Sequence, residues 1–256
     1  MTLTGIAVVP AAPALIPAVA AGAAGELAAT RDAALEAVAA LLATQPDLVV
    51  LLGAADPGSP TAAYRPGDSG TVEGFGVDLR VPLGARICAG EPVAATAVTV
   101  AAWLLHQVGF AGDVQGFALA DVEPGPDGPI DRVAERATAV AAELRDLPGR
   151  VALLVAADGS ACRTPKAPGS FDPRAEAFDT QLAEALAAGD PARLPADPVL
   201  ARELWCRAVP MWQLLRALKP AVGHARVLYA DAPYGVGYVV GTWLPDGAGV
   251  SATLGA

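Results

Sequence analysis

Three short runs, TGIAVV at 4–9, DLVVLLG at 47–53 and RVALLVAA at 150–157, are apolar throughout after their first residue. A strand with water on one face alternates apolar and polar residues. A run without that alternation belongs to a strand covered on both faces, as in parallel sheets flanked by helices. Between the runs the pattern changes to a helical period. Residues 26–44 place Leu27, Ala34, Leu35, Val38, Leu41 and Leu42 on one side, and Pro46 ends the helix. Further helices are expected at 92–108, 129–147, 173–188 and 197–218, with Pro129 and Asp131 at the start of the second. Strands are expected at 113–120 and, as one or two, over 225–244. Residues 55–70 read as a long Pro/Gly/Ser loop, and 71–83 as a hairpin or edge excursion. The alternation predicts an α/β fold, a three-layer α/β/α arrangement with a mixed, largely parallel central sheet. No repeat or linker divides residues 1–256, so one domain is expected.

Composition narrows the function classes. Hydrophobic residues make up 54% of the chain and charged residues 17%, which excludes an extended disordered chain. The net charge of −10, without any basic run, argues against nucleic acid and anionic membranes as partners. Residues 5–25 are uncharged, but Pro10, Pro13 and Pro17 would break a spanning helix. Residues 92–110 are apolar but carry His106 and Gln107 and are short for a span. The Met-Thr-Leu-Thr start lacks the positive segment of a signal peptide, so the cytoplasm is the expected compartment. Cys88, Cys162 and Cys206 are too widely spaced for a zinc knuckle or a disulfide framework. Cys88 and Cys206 read as small core residues.

Ligands of open α/β sheets sit beyond the carboxyl ends of the strands, which directs attention to the loops 10–17, 53–60 and 157–170. Ordinary chemistries fit them poorly. His106 reads as a hydrogen-bonded core group and His224 as a surface residue. There is no Gly-x-Ser-x-Gly elbow, and Ser59 and Ser160 read as turn residues. Asp56, Asp158 and Asp231 could together hold a weakly bound Mg²⁺, or each could cap a turn or helix. Gly235 and Gly237 form a bare Gly-x-Gly that reads as close backbone packing rather than a phosphate cradle. In the loop DGSACRTPKAPG, Arg163 and Lys166 could bind a carboxylate or phosphate. Cys162 beside Arg163 reads either as a thiol of lowered pKa or as an incidental cysteine in a solvated loop.

Several ordered segments carry a resemblance. Val9-Pro10-Ala11-Ala12-Pro13 runs through Leu15 and Ile16 to Pro17; Asp47 to Leu52 leads into Gly53-Ala54-Ala55. Gly67-Asp68 and Phe75-Gly76 follow, then Ala157-Asp158-Gly159-Ser160-Ala161, Ala167-Pro168-Gly169 and Phe178-Asp179. The last is Ala-Pro-Tyr-Gly-Val-Gly-Tyr at 232–238. In this order, over nearly the whole chain, they resemble the catalytic B-subunit superfamily of class III extradiol ring-cleavage dioxygenases, which includes the Memo-like proteins. The resemblance implies an Fe²⁺ site with two histidines and a carboxylate, plus a further histidine for acid–base steps. The positions that look like the three histidines are Ala11, Ala55 and Ala161, and no histidine occurs in residues 1–105. A methyl group has no lone pair to offer, so the resemblance implies the family's frame without its iron, and no cofactor is expected.

The leading expectation is a metal-site-degenerate homologue that keeps a cleft for a small anionic or aromatic ligand or a protein partner, a homo-oligomer being compatible with it. Asp56, Asp158, Ser160, Cys162, Arg163 and Tyr234 are the candidate cleft residues. The alternatives are an enzyme built on Cys162, or on Asp56 and Asp158 around another metal, and an interaction protein whose cleft is filled by side chains.

Overall fold

The unalternating runs lie side by side at the centre of a sheet. The computed structural model describes residues 1–85, 90–121 and 132–246. In chain order, β1 (Thr2–Val9) leads through a 3-10 turn (Pro13–Leu15) into the single-turn helix α1 (Pro17–Ala20), then α2 (Ala28–Leu42) and β2 (Leu48–Ala54). Next come β3 (Ala62–Tyr64), β4 (Ser69–Thr71), β5 (Arg80–Pro82), α3 (Thr96–Gln107), β6 (Asp113–Leu119), α4 (Val133–Asp146) and β7 (Arg150–Ala156). The chain then forms α5 (Arg174–Ala188), α6 (Pro198–Glu203), α7 (Val209–Leu218), β8 (His224–Asp231) and β9 (Tyr238–Leu244).

Seven strands pair in the order β3-β6-β2-β7-β1-β9-β8. The inner four are parallel, and β3, β9 and β8 each pair antiparallel with their neighbours. β4 and β5 form a separate two-stranded hairpin. Two apolar cores cover the two faces. One packs α2 and α3 on the sheet through Val38, Leu41, Val98 and Leu104; the other packs α4, α5 and α7 through Leu144, Phe178, Trp212 and Leu215. This is the expected three-layer α/β/α arrangement, with a largely parallel sheet.

Topology places the strand ends. β7 lies between β2 and β1, with Ala156 opposite both Gly53 and Val9. The chain therefore leaves all three strands at one level, and their exit loops are neighbours. Close packing of α3 on β2 depends on Gly53, where a Cβ would fall 2.6 Å from the Ala97 Cβ. That approach brings the first turn of α3 over the same strand ends.

Several sequence expectations are corrected. Residues 55–70 are not one loop: Ala62–Tyr64 pairs with Ala118–Gly116 as an edge strand. The helix expected over 92–108 starts at Thr96. The single helix expected over 197–218 is two, α6 and α7, with Trp205 between them at φ +54°. Pro210 accounts for the break, because it lacks an N–H and its ring excludes a helical turn before it. Cys88, Pro129 and Asp131 lie outside the described residues.

Leu51 is fully buried in the middle of β2. Leu51→Ala should lower unfolding free energy by about 2–5 kcal/mol through lost burial and the void it leaves, read as a lower urea midpoint with an unchanged slope.

Candidate functional site

The three adjacent exit loops, together with the α6–α7 break, enclose a cleft of about 370 Å³. Ala11 enters from the β1 loop, Ala55 and Asp56 from β2, and Asp158 and Ala161 from β7. Phe75, Thr96 and Ala97 line it on one side; Pro168, Trp205 and Arg207 line it on another. The three alanines, the outer two 150 positions apart in the sequence, thus meet around one volume. Most of the lining is carbon, and charge enters it through two carboxylates and one guanidinium.

The carboxylates differ. Asp56 accepts the Thr96 N–H with both oxygens, at 3.3 and 3.2 Å. It thereby supplies the acceptor that the first residue of α3 lacks locally, next to the positive end of the helix. The capping reading of Asp56 is the one the geometry bears out. Asp158 Oδ1 accepts the Ala11 N–H at 2.9 Å, tying the β7 loop to the β1 loop. Its Oδ2 has no donor among the described residues and remains open on the cleft. Burial among apolar groups pushes the Asp158 pKa up from 3.8 to about 7; the Ala11 N–H works against the rise and the nearby Asp179 charge adds to it. The Tyr238 phenol is raised as well, first by burial and then by the Asp158 charge.

Arg207 Nη2 donates to the Ala55 carbonyl at 3.3 Å and lies 3.8 Å from Asp121 Oδ1. Trp205 and Phe75 stand at the cleft with about half their surface in water (58% and 48% exposed). Arg207 and Trp205 escaped the sequence reading because they fell inside an expected helix. The available signal was the Pro210 that interrupts it.

The other sequence candidates are placed elsewhere. Ser160 is buried and serves Asp179: its N–H donates to Asp179 Oδ1 at 2.7 Å and its hydroxyl to Oδ2 at 2.8 Å. Arg163 turns to the same carboxylate (3.3 Å) and to Glu176 (3.5 Å). It lines a separate hollow of about 260 Å³ with Asp179 and Asp231. It is thus committed to these carboxylates, while Lys166 is exposed. Cys162 is 1% exposed and its thiol is held near the Gly169 carbonyl (3.4 Å). Burial raises its pKa, followed by the charges of Asp172 and Asp179, which corrects the reading of a thiol activated by Arg163. Cys206 is buried as expected, with its thiol pushed up to about 12 by desolvation. Tyr234 donates to Glu26 Oε2 at 3.1 Å on the outside and does not line the cleft.

Asp231 lies apart from Asp56 and Asp158, which overturns the three-aspartate Mg²⁺ reading, and its Oδ1 accepts the Ala232 N–H. His106 Nε2 donates to the Pro82 carbonyl at 2.8 Å, and His224 is exposed at the start of β8. No group of three or more His, Cys, Asp or Glu side chains that could hold a metal occurs among the described residues. An Fe²⁺ ion of the two-histidine, one-carboxylate kind therefore does not fit the residues of this cleft. Gly235 and Gly237 serve close packing: a Cβ on Gly237 would fall 2.4 Å from Asp179 Oδ2.

No family model and no curated protein matches the chain. Among solved structures, the uncharacterized protein JW3007 from Escherichia coli K12 is similar in outline, at 11% identity and a TM-score of 0.47. The match covers 94% of this chain and 100% of that one. No function comes with that likeness. Among the described residues, no helix is long and apolar enough to cross a membrane. The two apolar stretches form β1 with its following turns, and α3 with its flanks.

The raised pKa of Asp158 has a thermodynamic sign. In the unfolded chain its carboxyl ionises near 3.8, and in the folded chain near 7, so the native state holds the proton more tightly. Its contribution favours folding below the lower value and is lost as pH rises through the upper one. Asp158→Asn keeps an acceptor for the Ala11 N–H and removes the titration. Between about pH 4 and 8, the wild-type melting midpoint should fall relative to the variant, and the gap should level off outside that window.

Proposed function

We propose that the chain is a metal-site-degenerate relative of the extradiol dioxygenase B subunit, whose cleft binds a small anionic or aromatic ligand without iron-dependent ring cleavage. The observation that carries this reading is the meeting of Ala11, Ala55 and Ala161 around one cavity. These three positions come from three separate segments of the resemblance. The adjacency of β1, β7 and β2 brings the three loops together, and each loop sets at the cavity the position that the resemblance marks for a histidine.

The cleft has the features of a small-molecule site. Its volume of about 370 Å³ is ligand-sized, and its walls are mainly apolar with a few polar groups. Phe75 and Trp205 offer ring faces for an aromatic ligand. Arg207 offers a charge for a carboxylate or another anion. With methyl groups at the three positions, neither metal ligation nor histidine acid–base catalysis is available from them. The thiol alternative loses its support in the burial of Cys162.

Elemental analysis of purified protein should find substoichiometric iron, and added catechol should cause no oxygen uptake. Calorimetric titration with catechol and benzoate should give saturable binding to the wild type. Ala161→Trp, which places an indole in the cavity, should abolish that binding while the melting transition persists. Stoichiometric iron together with catechol-dependent oxygen uptake would overturn the proposal.

A further inference from the structure

Asp158 Oδ2 is the carboxylate oxygen of the cleft to which no described residue donates. Its partner Oδ1 is engaged by the Ala11 N–H, so the carboxyl is held in one orientation while Oδ2 opens on the cavity without a donor among the described residues. Asp56, the second carboxylate of the cleft, spends both oxygens on Thr96. Ser160 is taken up by Asp179 and the two described thiols are buried. Arg207 lines the same cavity and, beyond the Nη2 contacts to Ala55 and Asp121, retains further N–H donors for an anion. One oriented carboxyl, one guanidinium and apolar walls are the components of metal-free proton transfer next to a carbonyl.

From this arrangement we infer that Asp158 is a proton-transfer catalyst for a small anionic carbonyl compound of the 2-oxo acid class, which Arg207 holds by its carboxylate. The inference rests on the reading of the cleft as a small-ligand site. The Asp158 carboxylate removes a proton from the carbon beside the carbonyl. The C–H electron pair forms the new C=C bond and the carbonyl π pair moves to oxygen, giving an enolate that faces the Arg207 charge. The Asp158 acid then returns the proton to carbon, or the enolate oxygen takes one from water and leaves as the enol, and the hydroxide left behind takes the proton from Asp158. Nothing is oxidised or reduced, and no co-reactant is consumed. Neighbouring groups keep the acid and base forms of Asp158 both accessible near neutrality. Burial, and to a lesser degree the charge of Asp179 from α5, favours the acid, while the Ala11 N–H favours the base. Tyr238 from β9 and Cys206 from the α6–α7 break also sense its charge, and Asp56 and Arg207 share its cavity.

Phenylpyruvate is the probe, with solvent deuterium uptake at its C3 followed by NMR and enol-to-keto conversion followed by absorbance. Wild-type protein should exceed the buffer rate in both assays, with deuterium uptake rising through about pH 7 and neither rate affected by EDTA. Asp158→Asn should lose about 10²–10⁴-fold in rate, the usual worth of a positioned acid–base group, with its melting transition intact. Arg207→Met should chiefly raise KM. A wild-type rate equal to buffer, an Asp158→Asn rate equal to wild type, or loss of activity in EDTA would each overturn the assignment. Calorimetry with the same compound separates the two levels: binding without exchange removes the catalytic role and leaves the ligand site standing, whereas absence of both removes each.

Discussion

The Asp179 carboxylate holds the cleft's frame together. It reaches from α5 into the junction of two chain segments, accepting from the backbone and hydroxyl of Ser160 and from Arg163. The same junction is closed by paired backbone bonds, Gly159 N to Gly237 O and Gly237 N to Ser160 O, both 2.7 Å. Glycine is required on both sides, because a Cβ at either position would lie 2.4 Å from an Asp179 oxygen. Burial raises the pKa of Asp179, and its three hydrogen-bonding contacts oppose that rise. A buried acceptor with its partners in place fixes the exit of β7, and through it the position of Asp158 one residue before the clamp.

Within that frame the cleft lining is divided between carbon and a few polar atoms. Methyl groups at Ala11, Ala55 and Ala161 leave space, and the same apolar surroundings make an ionised Asp158 costly. An apolar lining around a lone carboxyl thus leaves space and at the same time disfavours the charged form of that acid. The empty volume and the shifted acid share one physical cause.

The parts of this architecture that were legible in the sequence were set by local pattern. Unalternating runs in β1, β2 and β7 specify strands covered on both faces, and the helical period of residues 26–44 specifies α2. That residues 11, 55 and 161 lie in loops at strand ends was legible from the strand pattern; that the three strands adjoin was not, since strand order is a tertiary property. What stayed hidden depends on long-range partners. Ser160, Arg163 and Cys162 sit in a polar loop, and nothing local says that Asp179 will claim the first two or that the third will be buried. The three-residue edge strand Ala62–Tyr64 is too short to carry a period, and it forms because β6 offers an unpaired edge. Trp205 and Arg207 looked helical because apolar spacing continues through the break, and Pro210 was the one contrary mark.

The break between α6 and α7 also has an optical consequence. Of the chain's four tryptophans, Trp103, Trp212 and Trp243 are buried, and Trp205 alone is held in water at the mouth of the cavity by a left-handed backbone turn. The molecule thus carries its own spectroscopic reporter: one solvated indole whose emission is open to a soluble quencher, against three that are shielded. A ligand in the cavity shares its walls with that indole, so occupancy can be followed by light without attaching a label.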